Sequence, residues 1–240
     1  KWQSGINFGS LYLQANLGDK SKKSKLNHTA KIAIAARNEI RGTNSMVLGG
    51  GYIWHELNYR NPDHRFKAQV RYDEMHELES NSDELRRISL TAEYGYRYLK
   101  NNMKRWIYLR GFFGNNLSFT NGTGIGNSYY QMSLSGADGR QDLFMEEYYF
   151  ERFNPLSQMR NNNFGGFNST STYGTTSFWM ATGNVYAPLP IPRLGFLGLF
   201  ADGGAFYDGN TINYGYNAGL GLKLGNIVGI YVPLVRSSAM

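Results

Sequence analysis

Cysteine is absent from the 240 residues, which excludes a disulfide framework and any thiolate-held metal. No run of about 18 apolar residues occurs, so no transmembrane helix is present. The N-terminal stretch starts at Lys1 without a continuous apolar core, so no signal peptide is visible. An exported form has lost its signal, or the chain is a piece of a longer one. Histidine is scarce as well: only His28, His55, His64 and His76 occur. HELNY (55–59) and HELES (76–80) start like a zinc motif but lack the second His, and both read as strand ends, where ligands at i and i+4 do not share a helical face.

Catalytic chemistry is missing too. Asp73-Glu74 and Glu146-Glu147 are adjacent pairs, which a strand points to opposite faces, so neither is built for shared acid–base work. No GxSxG elbow occurs, and GTGIG (122–126) lacks the strand–loop–helix context and the Lys-Ser/Thr of a phosphate loop. We expect no catalytic residue, no metal and no cofactor within these residues; an enzymatic domain could lie upstream in a parent chain. The net charge of +7 suggests nucleic acid, but the basic residues are dispersed and alternate within strands, so no nucleic-acid partner is expected. SKKSK (21–25) is the one basic cluster, and it sits where a turn belongs.

The chain has glycine and aromatics instead: 29 Gly, where soluble proteins carry roughly 7%, and 18 Tyr within a 15% aromatic content. It also has strict alternation. In HRFKAQVRYDEMH (64–76), Arg65, Lys67, Gln69, Arg71 and Asp73 alternate with Phe66, Ala68, Val70 and Tyr72, the period of a strand with one polar and one apolar face. RRISLTAEYGYRYL (86–99), NHTAKIAIAARN (27–38) and the run Ala218, Leu220, Leu222, Leu224 repeat the pattern. Further strands are expected at about 2–17, 44–59, 104–118, 128–135, 142–153, 178–188, 195–208 and 226–236. The first changes phase between Ile6/Phe8 and Leu11/Leu13/Ala15, which suggests a bulge.

The polar face holds Lys31, Arg37, Arg65, Lys67, Arg71, Asp73, Arg87, Glu93 and Arg97. Several strands reach the roughly 9–11 residues that a tilted membrane strand needs. GDKSKKSK, RNPDH, ESNSDE and KNNMK punctuate them as turns, and no amphipathic helix of useful length intervenes. Tyr94, Tyr96, Tyr98, Trp54 and Trp106 suit the aromatic girdles of a membrane barrel. The expected fold is all-β: one domain (1–240), an antiparallel transmembrane β-barrel of about 12 strands with its polar face to the lumen. A soluble β-sandwich with charged outer faces also alternates, but it fits the strand length and meander order less well. Residues 136–177 break the rhythm, and about 154–177 form a long loop, either folded into the lumen on Arg160 and Phe167 or lying on the surface.

That loop and its sequel carry a resemblance. Arg160, Gly165, Gly166 and Phe167 are followed by SFWMATGNVYAPLP (177–190), GFLGLFADGGAFYDG (195–209), YNAGLGLKLG (216–225) and IVGIYVPL (227–234). This order resembles the C-terminal barrel of the bacterial surface-antigen superfamily, which includes the outer-membrane assembly factor and two-partner secretion transporters. The resemblance covers roughly 140–236 and implies a lumen loop built on Arg160, Gly165, Gly166 and Phe167. The family's loop has a compact Arg-Gly-Phe triplet, whereas NNNFG separates Arg160 from Gly166-Phe167 here, so the family's Arg contact with the wall does not carry over to Arg160 by motif. No periplasmic POTRA repeats are read within these 240 residues ahead of the barrel, so assembly or translocation activity is not expected to carry over. The family's closing strand would follow Pro233-Leu234, where VRSSAM stands, so a closing strand is expected beyond Met240. QDLFMEEYYFERF followed by NNNFGGF looks most like barrels appended to gluzincin-type zinc aminopeptidases, which would place a His-Glu-x-x-His domain upstream.

The function expected is a membrane anchor in the bacterial outer membrane, for an upstream domain or within an outer-membrane complex. Its partners would be the lipid bilayer with lipopolysaccharide, and other complex subunits. The alternatives are a transport or translocation barrel with a basic lumen, distinguished by conductance, and a soluble binding module, which would stay soluble without detergent.

Overall fold

The computed structural model describes residues 4–17, 25–41, 44–78, 84–99, 105–119, 131–134, 166–168, 174–191, 194, 196–224 and 228–237. They form twelve strands: β1 (Ser4–Asn16), β2 (Leu26–Arg41), β3 (Asn44–Arg60), β4 (His64–Glu77), β5 (Glu84–Leu99), β6 (Arg105–Phe119), β7 (Met132–Ser133), β8 (Thr175–Thr176), β9 (Trp179–Pro188), β10 (Leu197–Tyr207), β11 (Ile212–Leu224) and β12 (Val228–Arg236). Ten of them make one antiparallel meander of β-barrel type in the order β1-β2-β3-β4-β5-β6-β9-β10-β11-β12, and β7 pairs with β8 in a separate two-stranded ladder. No helix of the described residues is long and apolar enough to cross a membrane. Among the described residues the sheet is open, with β1 paired only to β2 and β12 only to β11.

The alternation in the sequence becomes two opposite faces. On one, Arg37, Arg71, Asp73 and Arg87 are 2–8% exposed, together with Leu48, Tyr52, Met75 and Leu85. On the other, Leu13 (72%), Ile34 (60%), Ile53 (58%), Leu90 (45%), Leu199 (51%) and Val232 (50%) stand free. We call these the inner and outer faces. The inner face curls strongly: Lys223 of β11 sets its ammonium 5.2 Å from the ring of Tyr108 on β6. Those strands are three steps apart, about 14 Å in a flat sheet at ~4.8 Å spacing. Gly198 and Gly221 make the convergence possible, because a Cβ would lie 2.6 Å from the Tyr186 ring at the first and 2.8 Å at the second.

Several expectations need correction. Trp54 and Trp106 are not girdle residues. Trp54 packs on the inner cluster of Ala33, Leu48, Tyr52, Met75 and Leu85, and Trp106, 8% exposed, lies under the Arg65 guanidinium at 4.2 Å. Their parity puts them inside, where an indole face stacks a cation. Tyr94 and Tyr96 do stand on the outer face, with His64 Nδ1 2.7 Å from the Tyr94 hydroxyl. Tyr98 follows a register shift between Arg97 and Leu99, and donates its hydroxyl hydrogen to the Pro188 carbonyl.

The phase change in β1 is not a bulge. Its register against β2 runs unbroken from Ser4↔Arg41 to Asn16↔Thr29, so Phe8 shares the row of Arg37 and Tyr12 that of Ala33. The irregularities lie elsewhere, at Arg86/Arg87, at Arg97/Leu99 and at Ala218/Gly219, the last opposite Pro233, which has no N–H for the ladder. Of the strand expected at 128–135, Met132–Ser133 is the described strand, and the one expected at 142–153 lies outside the described residues.

Candidate functional site

Register aligns the inner face into rows, and one row is polar throughout nine strands. Asn27, Asn58, Lys67, Glu93, Arg110, Asn184, Asp202, Asn217 and Arg236 are successive cross-strand partners from β2 to β12. Charges of opposite sign recur along it, so neighbouring strands offer attraction instead of like-charge repulsion.

At β6, β9 and β10 this row grips a piece of chain. Arg110 donates through Nε and Nη2 to Asn184 Oδ1 at 2.9 and 2.6 Å, and through Nη2 to the Gly166 carbonyl. Asn184 Nδ2 donates to Asp202 Oδ1 at 2.7 Å. Asp202 also accepts from Asn168, from the backbone N at Oδ2 and the amide at Oδ1, both at 2.7 Å. Asp202 is 3% exposed and Asn184 8%, so the carboxylate depends on these donors for the hydration it has lost. Beside it, Phe167 (3%) packs with Phe112, Met132, Leu134, Met180 and Phe206, and its backbone N–H reaches the Leu134 carbonyl at 2.8 Å. The segment Gly166–Asn168 and the β7–β8 ladder therefore lie against the inner face, and not on the outside.

Of the residues expected to form the lumen loop, Gly166 and Phe167 lie against inner-face residues of β6 and β9, while Arg160 and Gly165 lie outside the described residues. Arg110 of the wall donates to the Gly166 carbonyl. Sequence reasoning missed Arg110, Asn184 and Asp202. Each is a polar residue set among Gly, Ala and aromatics, at a position sharing parity with buried neighbours such as Phe112, Tyr186 and Phe200. That parity was the available signal.

The nine residues expected on the polar face all share the inner face by register. Lys31 points its ammonium over Tyr12 and Tyr52, at 4.5 and 5.3 Å. Lys67 pairs with Glu56 at 3.2 Å, and Glu93 sits between Lys67 and Arg110 in the row. Arg71 Nε bonds Asp73 Oδ1 at 2.6 Å and stacks on Tyr52 at 4.1 Å, while Arg87 Nε bonds Asn116 Oδ1 at 2.9 Å. Arg37 is 2% exposed. Arg65 is exposed at the strand end over Trp106, and Arg97 pairs with Asp63 of the β3–β4 turn at 2.7 Å. Of the nine, Arg37, Arg71, Asp73 and Arg87 are buried, Lys31, Lys67, Glu93 and Arg97 are partly exposed, and Arg65 is exposed.

His55 lies within β3 and His76 near the end of β4, not on a helix, and His76 contacts Glu74 at 3.0 Å. Among the described residues no three His, Asp or Glu side chains converge as metal ligands. Chemically the arrangement binds and positions chain; it presents no activated nucleophile.

No family model and no curated protein matches the chain. Among solved structures it is similar to CdiB from Acinetobacter baumannii, with a TM-score of 0.49 and 10% identity, over 93% of this chain and 37% of that one. The chain therefore spans little more than a third of that protein's length, and the likeness carries nothing about activity or partners.

Proposed function

We propose that this chain is an outer-membrane β-barrel whose work is anchoring, with its lumen sealed by an inward-folded segment. One observation carries the reading: the faces are inverted relative to a soluble protein. Arg37, Arg71, Asp73, Arg87 and Asp202 are at most 8% exposed, while Leu11, Leu13, Ile34, Ile53 and Leu234 are 58–72% exposed. Water does not favour that arrangement and lipid does, because each apolar side chain then gains its transfer energy without needing a protein partner. A sandwich would cover the outer face with a second sheet. Among the described residues the second sheet, β7–β8, is two-stranded and packs inward.

The surface-antigen resemblance supports the outer-membrane location. The contacts of Gly166 and Phe167 with the wall support the lumen loop that the resemblance implies. Its narrower form adds a zinc-peptidase domain upstream in the parent chain, and other outer-membrane subunits as partners. The mass of the native polypeptide tests the first, and detergent co-purification the second.

A transport barrel is the second reading, favoured by the Arg37, Arg71 and Arg87 side chains buried on the inner face. Planar-bilayer recording on the purified protein separates the two. The anchor reading expects almost no conductance, and a steady ohmic channel would replace it with transport.

A further inference from the structure

The four histidines of the chain fall into two kinds. His64 Nδ1 lies 2.7 Å from the Tyr94 hydroxyl, and His76 Nε2 lies 3.0 Å from Glu74 Oε1. Among the described residues, His28 and His55 make no hydrogen bond and no ion pair. Their ring contact is with each other, at 5.6 Å between ring centres and a tilt of 34°. A neutral imidazole carries one lone pair in the ring plane, so each of the two keeps a nitrogen free to bind.

Register explains why they meet. His28 of β2 pairs with Leu57 and His55 of β3 pairs with Ala30, so the two occupy a diagonal of one ladder and share the outer face. Diagonal neighbours in a sheet stand about 7–8 Å apart, within reach of ring side chains. The ladder runs unbroken from Leu26↔Tyr59 to Arg41↔Asn44, so both backbones are fixed before any ligand arrives. Around the pair on that face stand Ala30, Ile32, Ile53, Leu57 and Val70, whose side chains hold neither donor nor acceptor. His55 is exposed and His28 half-buried, which leaves the rings open to the exterior.

We propose that His28 and His55 form a two-imidazole site for a divalent transition-metal ion on the outer face of β2–β3. With metal–nitrogen bonds of about 2.0–2.1 Å, two imidazoles on one ion have ring centres about 5 Å apart, which a small rotation of either side chain achieves from 5.6 Å. Imidazole suits Cu²⁺, Ni²⁺ and Zn²⁺, with Cu²⁺ held most tightly, whereas Ca²⁺ and Mg²⁺ prefer oxygen. Two protein ligands leave the other positions to water, so the ion exchanges freely, unlike a closed four-ligand structural zinc. A scan for His-x-x-x-His on a helix passes over such a pair, because its members come together only through strand register.

The absence of cysteine makes the test direct, since no thiolate competes for the metal. The full chain, carrying no added histidine and folded in detergent, is titrated with Cu²⁺ in a weakly coordinating buffer. One ion saturates the parent. His28→Ala and His55→Ala each weaken binding by at least about tenfold, while His64→Ala combined with His76→Ala leaves it unchanged. Equal affinity in the parent and either single variant overturns the proposal, as does a matching loss in the combined one.

Should a variant lose the circular dichroism of its β-sheet, the parent carries the test alone. Electron paramagnetic resonance of the parent with one equivalent of Cu²⁺ is expected to show coupling to two imidazole nitrogens. One nitrogen or none overturns the chelate. The site stands on register and ring geometry, so it does not rest on the anchoring reading. Loss of heat-modifiability would strike that reading and leave this one, which is a separate failure.

Discussion

At the scale of single residues, the account turns on which side chains stand inside. Leu90 is 45% exposed on the outer face of β5. If water surrounded it, Leu90→Arg would shift stability by no more than about 0.5 kcal/mol. In lipid near the midplane the same change costs about 2–4 kcal/mol. Urea unfolding of the refolded protein in lipid vesicles distinguishes these outcomes, and the larger value is expected. The opposite substitution, Asp202→Ala, removes the acceptor that holds Asn168 and Asn184 and leaves Arg110 with less to pair with. Breaking a buried charge network in this way costs about 3–5 kcal/mol. The same unfolding measurement reads it, and a loss under about 1 kcal/mol would mean that the grip on Gly166–Asn168 contributes little.

At the scale of elements, the legible part was the periodic part. β2, β4 and β5 announce themselves because charged residues alternate with Ile, Leu and Val, and strands with one buried face punish any slip of register. The misreadings came where residue type and position disagree. Trp54 and Trp106 are types that suit a membrane interface, but each shares parity with inner-face neighbours, Trp54 with Tyr52 and Trp106 with Phe112. The polar row through Arg110, Asn184 and Asp202 could not be assembled from sequence. Its alignment depends on how β6 skips β7 and β8 to pair with β9, and on shifts at Arg86/Arg87 and Arg97/Leu99.

Turns were easier. Asp208 opens the β10–β11 turn, with Gly209 at φ 105°, a left-handed conformation that glycine adopts freely. Its carboxylate accepts the backbone N–H groups of Thr211 and Asn210, both at 2.8 Å, and the Asn213 amide at 2.8 Å, which lowers its pKa from 3.8 to about 2. These bonds favour the charged form. Their contribution is therefore complete above the unfolded value of 3.8 and is lost as pH falls through about 2. In NMR titrations the Asn210 and Thr211 amides should shift with a midpoint near 2, and Asp208→Ala should abolish the transition. A midpoint near 3.8 would mean that the turn does not hold the carboxylate.

At the scale of the whole molecule, the ten-stranded meander puts a charged surface inside and an apolar one outside, and lets one segment double back among the charges. An open antiparallel edge is intolerable in hydrocarbon, since each unpaired backbone group costs several kcal/mol there. The proposed membrane location therefore predicts that the β1 and β12 edges are paired there, whether with each other or with further strands. A barrel so closed resists detergent until heated. The most direct test is a denaturing gel of native outer-membrane fractions, boiled beside unboiled. The account predicts faster migration of the unboiled band, with the protein confined to membrane. Identical migration, with the protein in the soluble fraction, would contradict it.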